Sequence, residues 1–491
     1  MNAEIRRVAF VGLVLLAALV VGTTYWQAWA SGDLAARQDN AIKTVAQFKI
    51  KRGLIYAADG TVLAANRKRK VDGQTFFFRR YPQADLASNI VGYSTQARSR
   101  AGLERSLNDY LTGSNGSLRT VLGSKLDALT GRTIVGNSVV LTIDPDLQRV
   151  AQRVLAGQCG AAVALEPSTG RVLAMATSPG YDANKVERNF GSITRRPGAC
   201  SPAARLLNRA TAGLYAPGST FKLVTATAAL DSGKVKPDTT FNDPGYCTEY
   251  GKPVYNYDTN SPFGTVTFHQ GLQYSINSVF CNVGKQLGAI AILDYGRRFG
   301  MYSSPRLETP SDEQRTSGLY ERGKLFFPKH DFQVDPGRLA FGQERLGITP
   351  LQMAMVASAI ANGGVLMQPY VVQLIRGPGG KVVLRRKPKE VGRVMKESTA
   401  ATLTDMMVSV VSAGTGTAGQ ISGVEVAGKT GTAETGVAGR NTTWFVAFAP
   451  ADKPRIAVSL VLENQAGTGG STAAPLVREI MTSALSGKGT P

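Results

Sequence analysis

Histidine and cysteine are scarce in this chain of 491 residues, which contains two histidines and four cysteines. No two cysteines are close in sequence, and His269 and His330 do not show the spacing of metal ligands. A structural zinc site usually combines several thiolate or imidazole ligands at short, regular spacings. The sequence therefore predicts no metal site.

Acidic residues are also few, since 35 Asp and Glu stand against 56 Lys and Arg and the formal net charge is +21. The basic residues are scattered in short groups such as 67–70 and 385–387. Such a surface fits nucleic acid, anionic lipid head groups, a pyrophosphate-linked substrate or an anionic wall polymer. Because 43% of the residues are hydrophobic and 19% are charged, the chain can bury a large core and is not disordered as a whole.

Long uncharged apolar runs are missing except near the N-terminus, where one extends from residue 8 to 22. Arg6 and Arg7 precede it, Trp26 and Trp29 follow it, and the next charge is Asp33. A helix through residue 30 would just cross ~30 Å of hydrocarbon at ~1.5 Å per residue. Arginines on the short side and aromatic residues on the far side predict a cytoplasmic tail at 1–7, an anchor at 8–30 and an extracytoplasmic remainder.

A cleaved signal peptide is the alternative, because residues 28–30 read Ala-Trp-Ala and resemble a cleavage site. The uncleaved anchor is favoured, since Trp26 and Trp29 suit the interface of a membrane better than a processing site. Both interpretations export the chain. Export argues against nucleic acid as the partner and leaves the membrane and the cell wall.

Four cysteines in an oxidising compartment allow three disulfide pairings. Sequence alone does not select one of them, and four free buried thiols are the alternative. We expect a disulfide between Cys247 and Cys281.

Two regions with different patterns predict the domain organisation. Residues 31–140 hold short strand-like runs broken by glycine, asparagine and charge, which indicates an elongated β-rich pedestal. Residues 141–487 are denser in apolar residues, and a hairpin signal occurs at 161–176. Helix patterns bracketed by strands predict an α+β fold, with one antiparallel sheet covered by helices. The expected helices are 219–231, 270–287, 350–361 and 397–413, and the expected strands include 424–433, 442–449 and 455–463.

A serine and a lysine near residue 220 form the first of three chemical signatures. Pro217-Gly218 breaks the chain before Ser219, and Lys222 begins an apolar helix pattern. A lysine three residues on lies on the same helix face as the serine. Burial and the positive end of the helix dipole favour the neutral amine, which could act as a base. A capping serine followed by a surface lysine is the alternative, but this helix carries a single lysine, and it faces the serine.

Two further signatures follow in a fixed order. Ser275 and Asn277 lie at an expected turn between helices, where the hydroxyl can relay a proton and the amide can bind a substrate backbone. Lys429-Thr430-Gly431-Thr432 lies in a strand whose edge can accept an extended substrate. There Lys429 would supply positive potential and Thr430 would bind a carboxylate. Gly431 would leave room for the substrate backbone, and the N–H groups of Ser219 and Thr432 would form an oxyanion hole.

Together these residues resemble the penicillin-binding protein transpeptidases, in particular the monofunctional class B group and its short actinobacterial penicillin-binding protein A type. The resemblance covers nearly the whole chain. Further family-like stretches are Arg52-Gly53, Gly102-Leu103-Glu104, Leu141-Thr142-Ile143-Asp144, Gly342-Gln343, Asn362-Gly363-Gly364 and Trp444-Phe445. Residues 56–58, Tyr-Ala-Ala, depart from the family pattern after Arg52-Gly53.

The resemblance implies a peptidoglycan D,D-transpeptidase that needs no cofactor. Ser219 would be the nucleophile, Lys222 its base, and Ser275 and Lys429 the proton relay, while Asn277, Thr430 and Thr432 would hold the donor stem peptide. Stem peptides or the lipid-linked precursor would be substrates, and β-lactams would acylate Ser219. The family also implies a membrane glycosyltransferase as partner.

Two other functions are alternatives to this one. A D,D-carboxypeptidase or β-lactam hydrolase would need a group that activates water, and the one matching segment, residues 104–108, precedes Ser219 and is better explained as a chance match or a helix surface. A non-catalytic scaffold or sensor would not need all three signatures, and seven residues before Val8 are too few for a signalling domain. The glycines of 414–419 match a dinucleotide fingerprint but lie between a helix and a strand in the wrong order, so a flexible loop is expected.

Overall fold

The computed structural model describes residues 2–25, 47–114, 133–195, 200, 202–257, 262–437 and 439–487. Helix α1, Asn2–Thr24, has an exposed apolar surface. Its residues Glu4–Thr24 are long and apolar enough to cross a bilayer, and no other described helix is. Trp26, Trp29 and the alternative cleavage site lie outside the described residues.

The strands and helices are as follows. The strands are β1 Ile55–Tyr56, β2 Val62–Val71, β3 Gln74–Arg80, β4 Ser138–Leu141, β5 Gly160–Leu165, β6 Val172–Ser178, β7 Thr240–Asp243, β8 Tyr246–Glu249, β9 Lys252–Tyr255, β10 Gly264–Thr267, β11 Gly318–Glu321, β12 Lys324–Phe326, β13 Leu346–Gly347, β14 Val365–Met367, β15 Val372–Arg376, β16 Val382–Arg385, β17 Glu390–Arg393, β18 Ala427–Glu434, β19 Asn441–Ala449 and β20 Ile456–Gln465. After α1 the helices are α2 Ser88–Val91, α3 Gly102–Ser106, α4 Asn108–Thr112, α5 Pro145–Val154, α6 Lys185–Arg188, α7 Phe190–Thr194, α8 Arg209–Ala212, α9 Lys222–Asp231, α10 Phe268–Gln273, α11 Asn277–Leu287, α12 Ala289–Arg298, α13 Pro336–Ala340, α14 Pro350–Ala361, α15 Glu397–Ala413, α16 Gly469–Thr472 and α17 Ala474–Ser486.

A five-stranded antiparallel sheet in the order β18-β19-β20-β5-β6 forms the centre of the larger domain. Alternate residues of β19 point to opposite faces, as strand geometry requires. Trp444 and Val446 join the apolar cluster that contains α14, whereas Phe445 and Ala447 join the cluster that contains α5 and α17. Helices therefore cover both faces of the sheet, and the α+β prediction is confirmed.

A six-stranded sheet in the order β16-β15-β4-β1-β2-β3 forms the pedestal. Its first three strands in sequence lie between residues 55 and 80, but β15 and β16 come from residues 372–385 and pair next to β4. Sequence reasoning missed this contribution, because strand pairing over more than 200 residues leaves no local signal. The shared sheet joins the pedestal to the rest of the chain.

The Glu104 carboxylate holds the pedestal together from inside. It is fully buried, and it pairs with Arg52 Nη2 at 2.9 Å and Arg79 Nε at 2.5 Å. Burial raises the pKa of the Glu104 carboxyl, but the two guanidinium groups outweigh it and hold the pKa below its ordinary value. The helix-surface explanation for this residue is therefore wrong, and Glu104 has a structural environment far from that of a water-activating base.

The cysteines form two disulfides, Cys159–Cys200 and Cys247–Cys281. The second is the pairing expected from sequence, and it joins strand β8 to helix α11. No free cysteine occurs among the described residues.

Candidate active site

Ser219 lies in a single 3-10 turn, Gly218–Phe221, that leads into α9 at Lys222. The turn is tight because Gly218 has φ +51°, and a Cβ there would lie 2.9 Å from the carbonyl oxygen of Thr432. Ser219 is half-buried and faces a cleft of about 760 Å³, while Thr220, Phe221 and Lys222 are buried. The sequence thus presents one hydroxyl at the start of an otherwise buried segment.

The side chains of Trp444 and Tyr215 stabilise the backbone that precedes this turn. Trp444 on β19 donates a hydrogen bond from Nε1 to the Ala216 carbonyl oxygen at 2.9 Å. Tyr215 packs edge-on against Trp444 and donates its hydroxyl hydrogen bond to Glu463 Oε1 at 2.8 Å. These buried contacts fix the backbone that precedes Ser219 on the central sheet.

Lys222 is fully buried, and its amine is surrounded by hydrogen-bond acceptors and an aromatic ring. Lys222 Nζ donates to the Ser275 carbonyl oxygen at 2.7 Å, to Asn277 Oδ1 at 2.8 Å and to Ser275 Oγ at 3.2 Å. The Phe280 ring centroid lies 5.2 Å from Nζ. Burial, followed by the charge of Lys429, holds the pKa of Lys222 well below its ordinary value.

A neutral Lys222 amine can accept a proton in this geometry. It has two N–H donors, which the two shorter bonds use, and one lone pair that remains for a hydroxyl group. An ammonium would find three acceptors but no carboxylate as counter-ion among the described contacts. The site therefore favours the form of Lys222 that acts as a base.

Lys429 is the second buried amine, and it meets the first through Ser275. Lys429 Nζ donates to Ser275 Oγ at 2.8 Å and to the Thr430 carbonyl oxygen at 3.1 Å. Burial lowers the pKa of Lys429 to about 7. Ser275 Oγ thus lies between two amines whose pKa values are both lowered, which is the arrangement of a proton relay.

Ser275 and Asn277 occupy a sharp turn between α10 and α11. Ser275 has φ +59°, so the expected helix over 270–287 is interrupted there, as the turn prediction required. Asn277 is the first residue of α11, and its Nδ2 donates to the Tyr255 carbonyl oxygen at 3.0 Å. Its amide orientation is therefore fixed from both ends, by Lys222 and by Tyr255.

Strand β18 forms the edge of the central sheet beside the nucleophile. The Thr432 carbonyl lies against Gly218, so it points away from the partner strand β19. In an antiparallel strand the N–H and C=O of one residue point to the same side, so the Thr432 N–H also faces the Ser219 turn. This is the direction that the expected oxyanion hole requires.

Thr430, Gly431 and Thr432 differ in what they face. Thr430 and Thr432 line the cleft; Thr430 Oγ1 lies 2.7 Å from Thr415 Oγ1, and Thr432 Oγ1 accepts from the Gly469 N–H at 3.1 Å. Gly431 does not line the cleft. A Cβ on Gly431 would lie 2.9 Å from the Pro217 carbonyl oxygen, so glycine at this position makes room for the nucleophile turn.

Gly342→Ala should lower both stability and acylation, and Gly423→Ala is its matched control. Both glycines have positive φ, which costs roughly 1–2 kcal/mol for alanine, but only a Cβ on Gly342 would clash, 2.0 Å from the Gly218 carbonyl oxygen. We expect Gly342→Ala to lose about 1–3 kcal/mol more free energy of unfolding than the control. Benzylpenicillin should also acylate Gly342→Ala about 10- to 100-fold more slowly than Gly423→Ala. Chemical denaturation and acylation kinetics measure the two effects, and equal losses in both variants would refute the packing explanation.

Two family models match this chain: the penicillin binding protein transpeptidase domain over residues 160–482 and the penicillin binding protein A dimerisation domain over residues 52–139. The first match alone spans more than half of the chain. This chain belongs to the penicillin-binding protein transpeptidases.

Similar proteins span nearly the whole chain. The peptidoglycan D,D-transpeptidase PbpA of Mycobacterium tuberculosis is 34% identical over 99% of this chain and 100% of its own length. The protein of that name from Mycolicibacterium smegmatis is 33% identical over 99% of both chains. Among solved structures, penicillin-binding protein A from M. tuberculosis as a penicillin G acyl-enzyme complex has a TM-score of 0.78 and 32% identity, covering 89% of this chain and 100% of that one.

In this penicillin-binding protein the structure also assembles residues that sequence reasoning did not single out. Thr415 lines the cleft beside Thr430, although the glycine-rich segment 414–419 was expected to be a flexible loop. That segment packs on the Phe445 ring, since a Cβ on Gly419 would lie 2.8 Å from it. The glycines of this segment were the sequence signal that could have identified it, and they are explained by close packing on Phe445 rather than by flexibility.

Proposed function

We propose that this chain is a peptidoglycan D,D-transpeptidase that cross-links stem peptides through an acyl-enzyme on Ser219. One observation carries the proposal: two buried amines with lowered pKa values meet at Ser275 Oγ, and Ser275 lines the same cleft as Ser219. Burying two amines without a carboxylate partner among the described residues costs stability, and such a cost is typical of sites where proton transfer needs a tuned pKa.

Acylation begins at Ser219 in this mechanism. Lys222 Nζ takes the proton of the Ser219 hydroxyl while Ser219 Oγ forms a bond to the carbonyl carbon of the penultimate D-Ala. The carbonyl oxygen gains negative charge, and the N–H groups of Ser219 and Thr432 donate hydrogen bonds to it. A hydroxyl nucleophile, a neutral amine and preoriented donors are all present in the folded chain.

The leaving group then departs with a proton. The C–N bond to the terminal D-Ala breaks, and Lys429 supplies a proton to the leaving nitrogen through the Ser275 hydroxyl, which lines the cleft. The proton held by Lys222 passes through the Ser275 hydroxyl to Lys429, which restores both amines. Asn277, Thr430 and Thr432 hold the donor peptide along the edge of β18.

An amine from a second stem peptide resolves the acyl-enzyme. It attacks the ester carbonyl, Ser219 leaves with a proton, and the new amide bond is the cross-link. A β-lactam enters the same first step, and its opened ring stays attached to Ser219. Among the described residues that line the cleft, the one carboxylate is Glu434, which is exposed two residues beyond Thr432. No other described residue of the lining offers a carboxylate that could activate water, as a hydrolase would need.

Acylation by benzylpenicillin should pass through a maximum with pH and decline as the pH rises through about 7. Lys222 must be neutral to accept a proton, so acid slows the reaction. Lys429 must carry its proton to pass it to the leaving nitrogen, and with a pKa of about 7 it is an ammonium below that pH and neutral above it. Acylation rates measured from pH 5 to 9.5 report the two apparent pKa values of the coupled pair Lys222 and Lys429. A steady rise to pH 9 would contradict the role of Lys429.

The function is tested by exchange of the terminal residue of a stem pentapeptide. The full-length protein in detergent is incubated with the pentapeptide and an isotopically labelled D-amino acid, and the products are quantified by mass spectrometry. A transpeptidase incorporates the label in place of the terminal D-Ala. A carboxypeptidase yields the tetrapeptide alone, and a scaffold yields neither product.

The membrane arrangement completes the proposal. The apolar helix α1 supports an anchor within residues 8–30, a cytoplasmic tail at 1–7, and an extracytoplasmic pedestal (31–140) and transpeptidase domain (141–487). A membrane glycosyltransferase that supplies the glycan strands is the proposed partner. Labelling of single introduced cysteines by a membrane-impermeant reagent in whole cells tests the orientation, because a cysteine at Ser192 should react and one at Ala3 should not.

A further inference from the structure

Asp243, at the end of strand β7, is a fully buried carboxylate without an ion pair among the described residues. Its Oδ1 accepts hydrogen bonds from the Gly245 N–H at 2.9 Å, from Asn256 Nδ2 at 2.9 Å and from Ser278 Oγ at 2.5 Å. Its Oδ2 accepts from Asn256 Nδ2 at 3.0 Å and from the Phe263 N–H at 3.0 Å. A buried charge is costly, and here four donor groups that converge on it offset that cost.

These donors belong to the segments that surround Asn277. Ser278 follows Asn277 at the start of α11, and its backbone N–H donates to Asn256 Oδ1 at 3.1 Å. Asn256 follows Tyr255, whose carbonyl oxygen accepts from Asn277 Nδ2. Asp243 therefore fixes Asn256 and Ser278, and those two residues fix the backbone on both sides of the Asn277 amide.

The β8–β9 hairpin, residues 246–255, belongs to the same unit. The Cys247–Cys281 disulfide joins it to α11, and Lys285 Nζ on α11 donates to the Thr248 carbonyl oxygen at 2.6 Å. The end of this hairpin and the residues that follow it line the same cleft as β18. Among the disulfide, the Lys285 hydrogen bond and the contacts of Asp243, those of Asp243 involve the residues nearest in sequence to Tyr255 and Asn277, namely Asn256 and Ser278.

We propose that Asp243 is a positioning residue for acylation, which acts by holding the Asn277 amide against Lys222 through Asn256 and Ser278. The proposal rests on the proposed function of the site, because it assigns Asn277 to the acylation step. Asp243 itself does not line the cleft, although its partners Asn256 and Phe263 do. Its effect should therefore appear in the rate of acylation and pass through Asn277.

Asp243→Asn is the direct test, because it keeps the shape and replaces one acceptor oxygen by a donor that faces other donors. Acylation of the full-length protein by benzylpenicillin is followed by intact-mass spectrometry over a range of drug concentrations, which separates the dissociation constant from the acylation rate constant. We expect the rate constant to fall about 10- to 100-fold, the effect of misplacing a catalytic group, while the dissociation constant changes less than about 3-fold. Asp452→Asn, at an exposed turn, should leave both constants unchanged.

Ser278→Ala keeps the test decisive where Asp243→Asn does not fold. It removes one donor from the carboxylate and should slow acylation about 3- to 10-fold. The melting temperature of each variant is measured in parallel. Wild-type acylation rates in folded Asp243→Asn or Ser278→Ala would overturn the proposal.

A double-mutant cycle separates positioning from general structural damage. In an Asn277→Ala background, Asp243→Asn should slow acylation further by less than about 3-fold, because the group that it positions is already gone. The full loss on top of Asn277→Ala would overturn the proposal and leave the proposed function intact. Failure of the unmodified protein to form any adduct would overturn both.

Discussion

Ser219→Ala should abolish incorporation of a labelled D-amino acid into a stem pentapeptide. The variant removes the one hydroxyl that the 3-10 turn presents to the cleft, while Lys222, Ser275 and Lys429 keep their contacts with one another. Without a nucleophile there is no acyl-enzyme, and a loss of about 10⁵- to 10⁶-fold is expected. The exchange assay in detergent measures it directly.

The controls for this variant are Ser219→Cys and Ser192→Ala. Cysteine retains a nucleophile of similar size, so a low but measurable activity should remain. Ser192 lies on the exposed helix α7, and its loss should change nothing. Activity of Ser219→Ala above one per cent of wild type would show that another group attacks the peptide.

Lys222→Met should slow acylation by about 10³- to 10⁴-fold and leave the fold intact. Methionine fills nearly the same buried volume without an amine, so the Ser219 hydroxyl keeps its position and loses its base. General base catalysis and the relay through Ser275 disappear together, which accounts for the size of the effect. The acylation rate constant for benzylpenicillin and the melting temperature are the two measurements.

Lys453→Met, in an exposed loop, serves as the control for the loss of one positive charge. It should be acylated at the wild-type rate. A Lys222→Met variant that folds and still reacts within 10-fold of wild type would mean that Lys222 is not the base.

Local sequence signals were sufficient for the three signatures because each depends on nearest neighbours. Ser219 lies in a turn that leads directly into the helix beginning at Lys222, Ser275 and Asn277 share a break between helices, and the glycine before Ser219 makes its turn possible. The helices at 350–361 and 397–413 were predicted with the bounds that the structure has. Their long apolar patterns and their starting residues are visible in a single sequence.

Contacts between distant segments could not be read in the same way. Asp243 and Ser278 are 35 positions apart, and only the folded chain brings them to 2.5 Å. The contact of Gly431 with the nucleophile turn was missed for the same reason, since its close neighbour is Pro217, more than 200 residues earlier. Strands β15 and β16 join the pedestal sheet across a similar distance. In each case the decisive neighbour comes from another part of the sequence.

The central claim is a long-lived acyl-enzyme on Ser219, and intact-mass spectrometry of the full-length protein with benzylpenicillin tests it most directly. Samples are taken over hours, and peptide mapping locates the added mass. We expect one adduct per chain on the peptide that contains Ser219, and this adduct should persist for hours. An adduct on another peptide, its loss within minutes with turnover of the drug, or no adduct at all would contradict the claim.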